Sequence, residues 1–138
     1  MGQLNIPIKV ANWFDLERVA LGERSEPPRL VEAEALVDTG AVRFYLQSSL
    51  IRRLGLRPIR KVTSRTMADI SVERDVYSPV DLEIQGRSGT FEVVEVPDNL
   101  PNVVGQIPLE QLDWVVDLRN RRLIPNPEHK HGELCDDF

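Results

Sequence analysis

Apolar and polar residues alternate along much of this chain, and this alternation predicts its strands. It is strict over residues 3–11 and over residues 80–85, as in strands with one buried face. Shorter runs of apolar and β-branched residues predict further extended segments. They cover residues 29–37, 42–46, 59–67, 91–96, 103–105, 114–118 and 122–124. The chain is therefore predicted to be mainly β.

Apolar residues at helical spacing are confined to three short segments. Asn12 is predicted to cap a helix, with Asp15 placed three residues later as in a capping box, and Gly22 to end it. Apolar positions within residues 46–54 share one helical face, and residues 108–112 begin with a proline suited to a first turn. Residues 86–89, with a glycine at each end, are predicted to form a hairpin loop.

Many short strands with two or three short helices indicate a small barrel or sandwich. A length of 138 residues favours one domain. We assign it to residues 1–125, with a helical insert at about residues 12–24, and interpret residues 126–138 as a polar C-terminal tail.

Charge and composition exclude several classes of function. A net charge of -5 argues against nucleic-acid binding, which needs a basic surface. No apolar run approaches the roughly 18 residues of a membrane span, and no charged-then-apolar leader begins the chain. The single cysteine, Cys135, cannot form an internal disulfide, which favours a reducing compartment. We therefore expect a cytoplasmic protein without membrane or nucleic-acid partners.

The most informative segment is the apolar run that ends in Asp38, directly before Thr39 and Gly40. Strands normally keep carboxylates at a solvated face or at their ends. An aspartate at this position has two interpretations. It can cap its own turn, for which Asp-Thr-Gly is well suited, or it can act as a catalytic acid.

Three segments, in order, resemble the retropepsin-like aspartic proteases, the retroviral-type family with one catalytic aspartate per chain. The first is Ala35-Leu36-Val37-Asp38-Thr39-Gly40-Ala41, and the second is Leu50-Ile51-Arg52-Arg53-Leu54-Gly55-Leu56, as in bacterial and archaeal members. The third is Val103-Val104-Gly105, followed by Leu109, Leu112 and Trp114-Val115-Val116-Asp117. The likeness covers about residues 30–125.

The resemblance implies a small closed acid-protease β-barrel that functions as a two-fold homodimer and hydrolyses an extended polypeptide. It implies that Asp38 is catalytic and that Thr39, Gly40 and Ala41 form the active-site loop. It further implies a substrate-binding flap and a substrate pocket. The flap consists of Met67, Ala68, Asp69 and Ile70, and the pocket includes Val42, Val104 and Gly105.

Three departures from the family pattern keep an alternative function open. Ile70 stands where many members have a flap glycine, Gln106 follows Gly105, and the insert at residues 12–24 is absent from the retroviral enzymes. The alternative is a catalytically weak or inactive retropepsin-like module that dimerises or binds peptides.

Other residues with potential chemistry receive simpler interpretations. Asp113 and Asp117 are predicted to be ordinary exposed carboxylates rather than second catalytic acids. Ligand-type side chains occur in residues 128–131 and at Cys135, but a metal site needs several rigidly placed ligands. We therefore predict no metal site and no cofactor.

Overall fold

The structure, a computed structural model, describes residues 3–65 and 69–129 of the chain. These residues form nine strands and three short helices. In chain order they are β1 (Leu4–Asn12), α1 (Trp13–Ala20), β2 (Leu30–Val37), β3 (Phe44–Gln47), α2 (Ser48–Leu54), β4 (Pro58–Arg65), β5 (Ser71–Ile84), β6 (Arg87–Val96), β7 (Asn102–Val104), α3 (Gln106–Leu112), β8 (Trp114–Asp117) and β9 (Arg122–Pro125).

Six of the strands close into a barrel. Its order is β1-β2-β7-β3-β6-β5, and β5 pairs back onto β1. β4 lies outside the ring, where it pairs with the first half of β5, and β8 and β9 form a separate two-stranded sheet. The prediction of a mainly β chain with a closed barrel and short helices is confirmed.

A bulge in β5 lets this long strand serve both the barrel and the β4 hairpin. Residues 71–77 pair with β4, residues 80–83 pair with β1, and the register against β6 shifts between Tyr77 and Val80. Pro79 has no N–H to give to a ladder. Ser78 fastens the bend, since its N–H donates to the Arg57 carbonyl at 2.8 Å and its Oγ accepts from the Arg57 N–H at 3.1 Å.

The alternating apolar residues of β1 and β5 point into the barrel, as their spacing predicted. Leu4, Ile6, Ile8 and Val10 are all buried, and their neighbours are more exposed. The fully enclosed side chains of the core come from β5, from other strands and from α2. These include Phe44, Leu46, Leu54, Val80, Leu82, Ile84 and Val93. Burial of one such side chain contributes about 2 kcal/mol to folding.

The β5–β6 connection is tighter than the sequence suggested. Gln85 and Gly86 form a two-residue turn with φ of 50° and 90°, and β6 already begins at Arg87. The predicted hairpin is confirmed, but the bounds of its loop, residues 86–89, are wrong. Two positive φ values are typical of the type I′ turn, whose twist matches that of the strands it joins. Asparagine, aspartate and glycine are the usual residues in such a turn. Because Gln85 is none of these, the local sequence does not indicate where the turn lies.

The helix of the predicted insert is anchored by buried polar groups. Asn12 caps α1 as predicted, since its side chain accepts from the Asp15 N–H at 3.1 Å, and it also donates to the Leu54 carbonyl at 2.8 Å. Asp15 is 1% exposed, and its carboxylate accepts hydrogen bonds from Nε (2.8 Å) and Nη2 (3.0 Å) of Arg29. The backbone N–H of Arg29 donates to the same carboxylate at 3.0 Å. This pair ties α1 to the beginning of β2.

Hydrogen bonding from the Arg29 side chain lowers the pKa of Asp15 to about 2 from an ordinary value of 3.8, against the opposing effect of burial. The ionised form of Asp15 therefore stabilises the folded state. That contribution is complete above about pH 5 and is lost as the pH falls toward about 2.

We predict that Asp15→Asn lowers the free energy of unfolding by about 2 kcal/mol at neutral pH. The deficit should shrink as the pH falls from about 5 to about 2, because the wild type then loses its ionised carboxylate. Urea denaturation at several pH values measures both quantities. Glu17→Gln, an exposed change on the same helix, is the matched control and should have little effect. A deficit that stays constant across this pH range would contradict the prediction.

Candidate active site

Asp38 lies on an exposed loop between β2 and β3, and hydrogen bonds fix the shape of this loop. The Asp38 N–H donates to the Val104 carbonyl at 3.1 Å, and the Asp38 carbonyl accepts from the Ala41 N–H at 3.1 Å. The Gly40 N–H donates to Asp38 Oδ1 at 2.9 Å. One carboxylate oxygen is thus held by its own loop, as in an Asx turn.

The segment that follows β7 holds the other half of the same loop. The N–H groups of residues 105–107 donate to the carbonyls of Arg43, Ala41 and Val42, at 2.9, 2.8 and 2.9 Å respectively. A Cβ at Gly105 would lie 2.5 Å from the Arg43 oxygen and 2.7 Å from the Ala41 oxygen. Only glycine allows the two backbones to approach this closely.

A buried asparagine braces the strands around β7. β7 lies between β2 and β3, which are consecutive in the sequence. The Asn102 side chain accepts from the Gln47 N–H at 2.8 Å on β3 and donates to the Glu34 carbonyl at 3.0 Å on β2. It therefore fixes the spacing of the two strands that carry the Asp38 loop. The sequence analysis missed Asn102, since no local pattern marks it.

A cleft of about 650 Å³ opens beside Asp38, between its loop and the β4–β5 hairpin. It is lined by Asp38, residues 40–43, Tyr45, residues 62–65, Arg74 and Val96. Asp38 is the only carboxylate among these lining residues. The cleft therefore combines one acid with an apolar and cationic wall.

The predicted site residues do not all lie in this cleft. Gly40, Ala41 and Val42 line it together with Asp38, whereas Thr39 lines a different cavity on the other side of the loop. Val104 is fully buried in the core, and Gly105 is buried against the loop backbone. Asp69 and Ile70 are exposed near the β4–β5 connection and are not among the cleft-lining residues. Met67 and Ala68 lie outside the described residues.

The cavity beside Thr39 contains a carboxylate that the sequence analysis misjudged. Asp113 is 4% exposed, so the prediction of an ordinary exposed position is wrong for this residue. Asp117, for which the same was predicted, is half-buried, and its carboxylate accepts a hydrogen bond from the Asn120 side chain at 2.8 Å. Asp113 ends α3 with a φ of 62° and binds His129 Nδ1 at 2.7 and 2.8 Å. The Asn126 side chain donates to it at 3.1 Å. Partners 13 and 16 residues away bury it, which local sequence does not reveal.

Within residues 3–65 and 69–129, no group of three or more His, Cys, Asp and Glu side chains could hold a metal ion. Residues 130–131 and Cys135 lie outside those ranges. No helix among the described residues is long and apolar enough to cross a membrane.

We predict that Gly105→Ala destabilises the protein by about 2 kcal/mol, because the added Cβ forces the Asp38 loop away from β7. Thermal or urea unfolding measures the cost. Gly22→Ala is the contrasting control: its φ of 74° is strained for alanine, but nothing lies within 4 Å of the new Cβ. If Gly105→Ala costs no more than a surface substitution, the close approach is not a constraint.

Comparison with known proteins adds no identification to this geometry. The chain matches none of the protein-family models and none of the curated proteins with which it was compared. The functional conclusion therefore rests on the arrangement of the residues themselves.

Proposed function

We propose that this protein is a homodimeric aspartic endopeptidase that hydrolyses peptide bonds of an extended polypeptide. Water is activated between two Asp38 carboxylates, one from each chain. The observation that carries the proposal is the position of Asp38: an exposed carboxylate on a hydrogen-bonded loop, at the wall of a cleft of about 650 Å³. The sequence resemblance to retropepsin-like proteases points to the same residue.

The chemistry needs a base and an acid at the same time. Two carboxylates close together cannot both be ionised easily, so they share one proton. The ionised carboxylate removes a proton from water as the water attacks the scissile carbonyl carbon, and the protonated carboxylate donates to the carbonyl oxygen. Collapse of the tetrahedral intermediate then breaks the C–N bond and returns a proton to the amine.

The second carboxylate has to come from another chain. Among the described residues that line the cleft, Asp38 is the only acid. A two-fold axis through this loop would place each Asp38 beside its partner's Asp38, since such an interface joins the same patch on both subunits. Dimerisation would thus complete the site rather than merely enlarge the protein.

An apolar surface next to the Asp38 loop supports this mode of assembly. The cavity of about 630 Å³ beside Thr39 is lined by Trp114, Val115, Val116 and Leu118, among others. Leu118 is 68% exposed and Val115 is 36% exposed. We assign this surface to contact with the second copy, because it adjoins the loop that the two chains must share.

The alternative of a peptide-binding or dimerising module rests on one specific contact. Asp38 Oδ1 accepts from the Gly40 N–H, as a turn-capping aspartate does without any catalytic role. Such a module would bind polypeptide in the same cleft without cleaving it. The two functions are separated by comparing peptide hydrolysis of the wild type with that of a variant that keeps this turn but lacks the carboxylate.

We predict that Asp38→Asn abolishes peptide hydrolysis and leaves folding and self-association intact. The asparagine oxygen can still accept from the Gly40 N–H, but the amide can neither act as a base nor share a proton. A fluorogenic peptide assay with sedimentation of both proteins tests this. Asp98→Asn is the matched control, since Asp98 is also an exposed acceptor of a backbone N–H, from Ser49 at 2.9 Å. Wild-type cleavage by Asp38→Asn would rule out the proposed mechanism.

We predict that Leu118→Lys weakens self-association and lowers specific activity most strongly at low protein concentration. A buried lysine in a dimer interface loses hydration without gaining a partner. Analytical ultracentrifugation and a dilution series of the peptidase assay measure the two effects. Leu21→Lys, at a similarly exposed leucine beyond α1, is the control. A wild-type protein that stays monomeric at micromolar concentration would argue against the dimer.

A further inference from the structure

We propose that the Asp38 cleft selects polypeptides that carry glutamate or aspartate side chains beside the bond to be cleaved. The inference rests on the proposed function and names its substrate class. It comes from the charges that line the cleft, which differ in sign from the charge of the whole chain.

Three arginines line the cleft against a single carboxylate. Arg43 precedes β3, Arg65 ends β4, and Arg74 lies on β5 opposite Val62. The chain as a whole has a net charge of -5. A cationic cleft in an acidic protein concentrates anionic groups locally and repels cationic ones.

Two of these guanidinium groups are available to a ligand. Arg65 Nη1 already donates to Asp69 at 2.7 Å. Arg43 and Arg74 form no ion pair with any residue in the described ranges, and Arg74 is half-buried, so its position is restricted. A guanidinium group recognises a carboxylate through two parallel N–H donors, which gives geometric selectivity as well as attraction.

Three acidic residues close to Arg74 lie outside the lining of the cleft. Glu73, Asp75 and Glu95 share a smaller neighbouring cavity with Arg74 and are absent from the cleft lining. Asp75 accepts from Lys61 Nζ at 2.6 Å, and Glu95 accepts from the Tyr77 hydroxyl at 3.1 Å. Two of the three carboxylates beside Arg74, Asp75 and Glu95, thus have other hydrogen-bond partners.

The test compares two acetylated and amidated peptides that differ only in glutamate or glutamine on both sides of the scissile bond. Blocked ends exclude recognition of a terminal carboxylate. We expect about fivefold higher kcat/KM for the glutamate peptide at low salt, and a ratio near one in about 0.5 M sodium chloride, because both arginines are partly solvated. In the double variant Arg43→Gln, Arg74→Gln the ratio should also fall to near one. Arg18→Gln, at an exposed position of α1, is the control and should keep the wild-type ratio of kcat/KM values.

A binding measurement separates failure of this inference from failure of the proposed function. Fluorescence anisotropy of both peptides with Asp38→Asn protein reports their affinities without any hydrolysis. If the wild type cleaves neither peptide, the peptidase proposal fails, yet tighter binding of the glutamate peptide would still support an acidic ligand. Equal affinities and equal kcat/KM values, or a preference that survives the double variant, would overturn the inference.

Discussion

The close backbone contact between Gly105 and the Asp38 loop is the constraint on which the candidate site depends. β2 and β3 follow one another in the sequence, but β7 lies between them in the barrel. The chain that joins β2 to β3 must therefore cross the end of β7, where a Cβ would come within 2.5 Å of a carbonyl oxygen. The glycine makes the crossing possible, and the three N–H groups of residues 105–107 then fix it.

This crossing makes Asp38 both exposed and fixed in position. A surface loop usually leaves its backbone groups to water and moves more than the strands beside it. Here the carbonyls of residues 41–43 and the N–H of Asp38 are bonded to β7 and the segment after it. A reactive group held in this way needs little ordering when a ligand arrives, and preorganisation of this kind is a main source of catalytic power. The carboxylate also keeps access to water, which the proposed hydrolysis would consume.

Features set by local sequence were predictable, and features set by distant partners were not. The alternation in β1 and the Asn12 cap each depend on neighbouring residues, and the sequence predicted both. The buried Asp113 contacts His129, 16 residues away, and Asn102 binds the backbone of strands 55 and 68 residues away. Asp38 was identified only because an uncommon local signature accompanies it.

The β4–β5 hairpin is less enclosed than the barrel that it adjoins. Beyond the bulge at Ser78 and Pro79, every second residue of β5 is fully buried in the barrel. Before the bulge, the β4 residues that pair with β5 are mostly exposed. The contacts of β4 include the ion pair Lys61–Asp75 with β5 and the ion pair Arg60–Glu92 with β6. Exposed pairs of this kind contribute at most about 1 kcal/mol each. The backbone ladder and these exposed pairs therefore hold this wall of the cleft, whereas buried side chains hold the barrel.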